Sequence, residues 1–148
     1  MKKRDIKILL VDDEDLFHLV FEDACSLLDI SLSLNALSSS DEAAKKFEKW
    51  FQSGGDNDKP ECVFVDLNII GSSFDGIELI RKINFEYGNH VVVGIISSSN
   101  EPEEQAKAVK SGAQFWIIKS DDIEPRLIEF KKDYEGYRSK TAPFKIYR

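Results

Sequence analysis

Cysteine and histidine are both scarce, two of each in 148 residues. Cys25 falls within a helical pattern and Cys62 opens a strand-like run, so no disulfide framework and no zinc-ligand spacing exists; both read as small buried hydrophobes. His18 and His90 have no acid or metal partner at diagnostic spacing and read as incidental. Positive charge is in deficit as well: 20 basic against 27 acidic residues give a formal net charge of -7, which argues against general affinity for nucleic acid or an anionic membrane. The basic start MKKRDIKILLV offers too short an apolar run before Asp12 and Asp13 for a signal peptide or a membrane span, and a cytoplasmic location is expected.

Apolar residues are not in short supply. They make up 42% of the chain, with 11% aromatic, enough for one domain with a real core. Four apolar runs each stop on a residue able to handle a phosphoryl group: ILLV at Asp12 and Asp13, VFV at Asp66, VVVGII at Ser97 and WII at Lys119. Short buried runs that end in polar residues are the mark of parallel strands whose carboxyl ends open into one crevice.

Between these runs the period changes to that of helices. Ile6 to Val11 reads as a strand, followed by a helix from about 14 to 28 with Leu16, Phe17, Val20, Phe21, Ala24, Leu27 and Leu28 as its apolar set. Leu32, Leu34 and Ala36 alternate as a short second strand, and Ser39 with Glu42 supplies a capping-box pattern for a helix bearing Ala43, Phe47, Trp50 and Phe51. The polar SGGDNDKP segment breaks the pattern before the third strand, Cys62 to Val65. Asp75 caps a helix striped by Ile77, Ile80, Ile83 and Tyr87; Val91 to Ile96 is the fourth strand. A helix from Pro102 to Ser111 ends at Gly112, Phe115 to Ile118 is the fifth strand, and Ile123, Leu127, Phe130 and Tyr134 stripe a last helix. Five strands alternating with five helices predict an α/β fold, a doubly wound parallel sheet with helices on both faces. The expected domain spans residues 1–134, with 135–148 as an aperiodic basic tail that holds no output domain.

Three carboxylates gathered at one crevice would repel one another and raise each other's pKa unless a cation shared them. Asp12, Asp13 and Asp66 offer only oxygen, which suits Mg²⁺ or Mn²⁺ better than zinc. Asp66 can then attack phosphorus as a carboxylate nucleophile. Lys119 can act as a point charge toward the phosphoryl oxygens, and the Ser97 hydroxyl can donate to another. Within the serine triplet, Ser98 is the alternative to Ser97.

ILLVDDED, VFVDLN with the later FDGIELI, IISSS and SGAQFWIIKS, in that order, resemble the successive motifs of the response-regulator receiver domain over roughly Ile6 to Tyr134. The resemblance implies a flavodoxin-like strand order 2-1-3-4-5. It implies Mg²⁺ held by Asp12, Asp13, Asp66 and the backbone carbonyl of Asn68, phosphorylation at Asp66, a phosphate-binding Lys119, and Ser97 with Trp116 as the switch pair. The donor it implies is a histidine kinase or histidine phosphotransfer protein, the output an unknown downstream protein, and the only catalysis the chain's own phosphorylation and dephosphorylation. Three features depart from the family pattern. Trp116 is bulkier than the usual Tyr or Phe. Ser120 stands where a proline, often cis, usually follows the lysine, so a trans bond is expected, and Gly71, Ser72 and Ser73 mark an insertion of about two residues. Two rivals are a small phosphatase of the haloacid-dehalogenase type, drawing on Asp13, Asp15, Asp121 and Asp122, and a receiver-like binding module that is never phosphorylated.

Overall fold

The computed structural model describes residues 6–28, 30, 37, 39–52, 59–69, 75–120 and 122–148. Four of the expected apolar runs form strands: β1 (Ile8–Val11), β2 (Cys62–Asp66), β3 (Val92–Ser97) and β4 (Phe115–Ile118). All are parallel neighbours in one sheet, and β1, β2 and β3 are buried at every position, as the unbroken β-branched runs require. Five helices connect or follow them: α1 (Asp15–Leu27), α2 (Ser40–Gln52), α3 (Gly76–Tyr87), α4 (Pro102–Ser111) and α5 (Glu124–Arg138).

Alternation along each strand divides the core into two layers. Leu10, Phe64, Ile96 and Ile117 meet Phe17 and Phe21 of α1 and Leu127 and Phe130 of α5. Leu9, Val65, Ile95 and Trp116 meet Phe47 of α2, Ile80 of α3 and Ala108 of α4 on the opposite face. The sheet is thus doubly wound. Among the described residues no helix is long and apolar enough to cross a membrane.

Leu32, Leu34 and Ala36 lie outside the described residues, as do Gly71, Ser72 and Ser73. Leu37, however, bridges Val11 in parallel: its N–H donates to the Leu10 carbonyl and its carbonyl accepts from the Asp12 N–H, both at 2.9 Å. That contact is on the edge of β1 away from β2, where the order 2-1-3-4-5 would put the second strand.

The opposite edge carries a strand that the period did not foretell. β5 (Lys145–Tyr147) pairs in parallel with β4, so the described order is β1-β2-β3-β4-β5. α5 runs past Tyr134 to Arg138, and Lys140, at φ 62, helps turn the chain back. Tyr137 and Tyr147, both buried, share a hydroxyl–hydroxyl bond of 2.7 Å, and the Tyr147 hydroxyl also lies 2.7 Å from Asp133 Oδ2. Three residues are too few to show a period of two, and what holds them is this side-chain chain rather than a sequence pattern.

Two helix faces differ in detail from the expected stripes. On α1 the buried set is Phe17, Phe21, Ala24 and Cys25, while Leu16 and Leu27 are 74% and 70% exposed. On α3 Leu79 joins Ile80 and Ile83 inside, and Ile77 and Tyr87 are only partly buried. In both helices the sheet covers a narrower arc than the apolar residues span. Cys25 and Cys62 are buried, and burial pushes the Cys25 thiol up to about 12.

Candidate functional site

At the carboxyl ends of β1 and β2 the chain leaves the sheet on acids. Asp12 closes β1, is fully buried, and accepts a hydrogen bond from the Glu14 N–H at 2.8 Å, which turns the backbone into α1. His18 reaches back from α1 so that Nε2 contacts the Asp12 carbonyl oxygen. A residue that looked incidental therefore braces the β1–α1 turn.

Asp66 is the last residue of β2 and 8% exposed. The chain beyond it returns through a capping box: the Asp75 side chain accepts from the Glu78 N–H at 2.8 Å, and Glu78 Oε1 accepts from the Asp75 N–H at 3.2 Å. Gly76 then begins α3 so close to β2 that a Cβ there would overlap the Asp66 carbonyl oxygen. Glycine at this point lets the helix start directly against the backbone of the acid.

Asp12, Asp13 and Asp66 converge, with one carboxylate oxygen from each within 4.8 Å of the others. Burial pushes the Asp66 carboxyl up to about 7, helped by the charges of Asp12 and Asp13 and opposed by Lys119 and the Asn68 backbone hydrogen bond. Asn68 itself is exposed, two residues past Asp66.

Lys119 follows β4 and crosses to this cluster. Its Nζ lies 2.8 Å from Asp12 Oδ2, 2.9 Å from Glu14 Oε2 and 3.8 Å from Asp66 Oδ2, above the Phe17 ring at 4.6 Å. Burial works to lower the Lys119 ammonium pKa, but the contacts with Asp12, Glu14 and Asp66 outweigh it and hold it above its usual value. Glu14 had no place among the expected site residues. The third acid of the DDED run was its only signal, and a run of acids at a helix start is as easily a capping pattern.

Ser97 ends β3, buried, and its Oγ accepts from the Ser99 N–H at 3.1 Å; the Lys119 N–H donates to the Ser97 carbonyl at 2.8 Å. Ser98 is exposed and lies beyond the strand. Register pairs Ile95 with Trp116 and Ser97 with Ile118, so Ser97 and Trp116 project from the same face of adjacent strands. Trp116 is fully buried rather than a half-open edge aromatic, because β5 covers β4. Its indole N–H donates to the Ser99 carbonyl at 3.1 Å. Ser120 follows Lys119 through a trans bond and takes a hydrogen bond from Arg126 at 2.7 Å.

Asp12 Oδ2 is buried, and its one close partner among the described residues is the Lys119 ammonium at 2.8 Å. An oxygen-only set of three converging carboxylates, facing that single ammonium, fits a hard divalent cation such as Mg²⁺. Sequence comparison decides the family: the response regulator receiver domain matches residues 8–128. The chain belongs to that family.

No curated protein matches it. Among solved structures, NtrX from Brucella abortus is similar at 23% identity and TM-score 0.75, over 93% of this chain and 28% of that one. The non-phosphorylated receiver domain of RcsB from Escherichia coli is similar at 12% identity and TM-score 0.73, over 96% and 98%. The receiver domain of an HD domain-containing protein from Pseudomonas fluorescens Pf-5 gives 17% identity and TM-score 0.72, over 95% and 94%. These likenesses are of fold, and this receiver domain spans only about 28% of the NtrX chain. A receiver domain is a signalling module rather than a conventional enzyme. A haloacid-dehalogenase arrangement, with its nucleophile after the first strand, is a poorer fit: Asp122 is exposed, and the carboxylate raised by burial, Asp66, ends β2 rather than following β1. Asp121 lies outside the described residues.

Proposed function

We propose that this receiver domain accepts a phosphoryl group on Asp66 from a histidine kinase or histidine phosphotransfer protein in the cytoplasm and signals through a protein partner. The observation that carries the reading is the convergence of Asp12, Asp13 and Asp66 within 4.8 Å beside a lysine ammonium. Asp12, Asp13, Asp66 and the Asn68 carbonyl would hold Mg²⁺, which supplies charge neutralisation for an incoming phosphoryl group. In the transfer an Asp66 carboxylate oxygen forms the new O–P bond, the N–P bond of the phosphohistidine breaks, and the released imidazole nitrogen takes up a proton.

Phosphoryl transfer asks for positioning and charge stabilisation more than for covalent chemistry by the protein. Lys119 needs only a small movement to exchange its contacts with Asp12 and Glu14 for phosphoryl oxygens, and Ser97 supplies a hydroxyl from the adjacent strand end. Rotation of the Ser97 hydroxyl toward the phosphoryl group would lengthen its bond from the Ser99 N–H and so act on the residue whose carbonyl Trp116 holds. A conformer with that rearrangement is favoured only to the extent that phosphate contacts differ between the two states.

Acetyl phosphate with Mg²⁺, followed by intact mass, tests the reading. A gain of one phosphoryl group that disappears in Asp66→Asn supports it; no gain, with Mg²⁺ binding demonstrated, leaves the never-phosphorylated binding module. Direct contact with nucleic acid has no support in the charge of -7, and the partner is expected to be a protein.

A further inference from the structure

At the amino-terminal end of the sheet, the pole opposite the acid cluster, the chain builds a cavity of about 520 Å³. Strands of this length set the two ends apart by roughly 15–20 Å. The cavity has a local balance of charge opposite in sign to that of the whole chain: Lys7, Lys59, Arg138 and Lys140 line it, against the single carboxylate of Glu61. A local excess of three positive charges (four cations less one carboxylate) in a chain of net charge -7 is a strong departure from the mean.

Two of these cations have no carboxylate partner among the described residues. Lys140 Nζ is held by the Val91 carbonyl at 3.1 Å and Gln114 Oε1 at 2.9 Å, which fix the ammonium in place without neutralising it. Burial accordingly lowers its pKa from the usual value. Lys59 Nζ stands over the Phe51 ring at 5.5 Å. Arg138 has only a loose contact with Glu135 at 3.9 Å.

Beside the cations runs a ladder of rings. Tyr87 stacks on Phe51 at 4.8 Å, and Phe51 meets His90 at 5.6 Å, leaving the exposed His90 ring as the open end of the stack. Cations next to an aromatic ladder, one of them held in place, form a two-part recognition surface, one part for phosphate and one for a planar ring. The volume is far larger than inorganic phosphate needs.

We propose that this cavity binds an organic phosphate of nucleotide size, its phosphate against Lys59, Arg138 and Lys140 and its planar ring against Phe51 and His90. The proposal goes beyond phosphoryl acceptance at Asp66 and does not depend on it.

The full chain titrated calorimetrically with AMP and GMP, in EDTA to silence the acid cluster, tests this. Saturable binding is expected, with inorganic phosphate and adenosine each at least about tenfold weaker because each engages one part only. The double variant Lys59→Glu, Arg138→Glu, both residues exposed, should weaken binding by at least tenfold while keeping the native circular dichroism. Amide shift changes with AMP should fall at 59–62, 89–92 and 134–140. Absence of saturable binding, equal affinity for phosphate alone, retention of affinity in the double variant, or shifts centred on Asp12 and Asp66 would each overturn the proposal.

Discussion

The indole N–H of Trp116 donates to the carbonyl of Ser99 at 3.1 Å, and the N–H of that same residue donates to Ser97 Oγ at 3.1 Å. Ser99 is therefore a relay of one residue between the buried tryptophan and the strand-end hydroxyl. A ligand that draws the Ser97 hydroxyl away thus acts on the residue that holds the tryptophan.

Beryllofluoride with Mg²⁺ should consequently change the fluorescence of Trp116 in a Trp50→Phe variant, where it is the sole remaining tryptophan. Ligand binding proved independently, with an unchanged spectrum, would remove Trp116 from the response.

Lys119→Met removes the ammonium that favours ionisation of Asp66, so the Asp66 carboxyl should be pushed up further than the value of about 7 that burial and the neighbouring acids give it. Acetyl phosphate labelling should fall at least about tenfold, as expected when one charge contact to a transferring phosphoryl group is lost. Carboxyl-carbon NMR titration reads the first effect and mass spectrometry the second; an unmoved titration curve would contradict the charge assignment.

Stability of the metal-free domain should fall as pH rises. The Asp66 carboxyl is raised from 3.8 to about 7 in the folded chain, so between those values the native state holds a proton that the unfolded state has released. The contribution is fully present below about pH 4 and gone above about pH 7, amounting to roughly 2–4 kcal/mol if the other acids are unchanged. Urea melts across this window, compared with Asp66→Asn, isolate the effect: the variant should lose less. Addition of Mg²⁺ at pH 8 should raise the melting temperature of the native chain but not that of the variant. Parallel pH profiles for the two proteins would refute the assignment.

Tyr147→Phe deletes the hydroxyl that joins Tyr137 to Asp133. A buried hydroxyl left without its partner costs about 1–3 kcal/mol, so the urea midpoint should drop. Hydrogen exchange should accelerate first at positions 146 and 147, whose strand loses its anchor; uniform acceleration through β1 and β2 would show that β5 is not separately held.

Gly76→Ala should destabilise the domain by about 1–3 kcal/mol, the range for forced overpacking, because the new methyl meets the Asp66 carbonyl. Crowding at this backbone should also slow labelling of Asp66. A variant as stable and as reactive as the parent would mean that α3 can recede from β2 without consequence.

Much of this molecule was legible in the chain because strand cores and strand ends are local features. Unbroken runs such as VVVGII announced parallel strands buried on both faces, and the residues at their ends, Asp12, Asp66, Ser97 and Lys119, were picked out by position alone. Asp75 and Glu78 form the cap that begins α3, and their spacing of three is a local geometric fact. The inward arc of α1 was less legible, since Leu16 and Leu27 share the helical period of Phe17 and Phe21 and only the sheet decides which side it covers.

The order of residue types thus determined the layered α/β fold and the gathering of acids, hydroxyl and amine at one end of the sheet, because periodicity and strand ends are written residue by residue. Tertiary structure alone decided that Lys119 would engage Glu14 as well as the aspartates, that Lys145–Tyr147 would close the edge over Trp116, and that the cations of Lys59, Arg138 and Lys140 would meet at the far pole. Those contacts join segments tens of residues apart or depend on a single buried hydroxyl, and no local pattern encodes a distance across the fold.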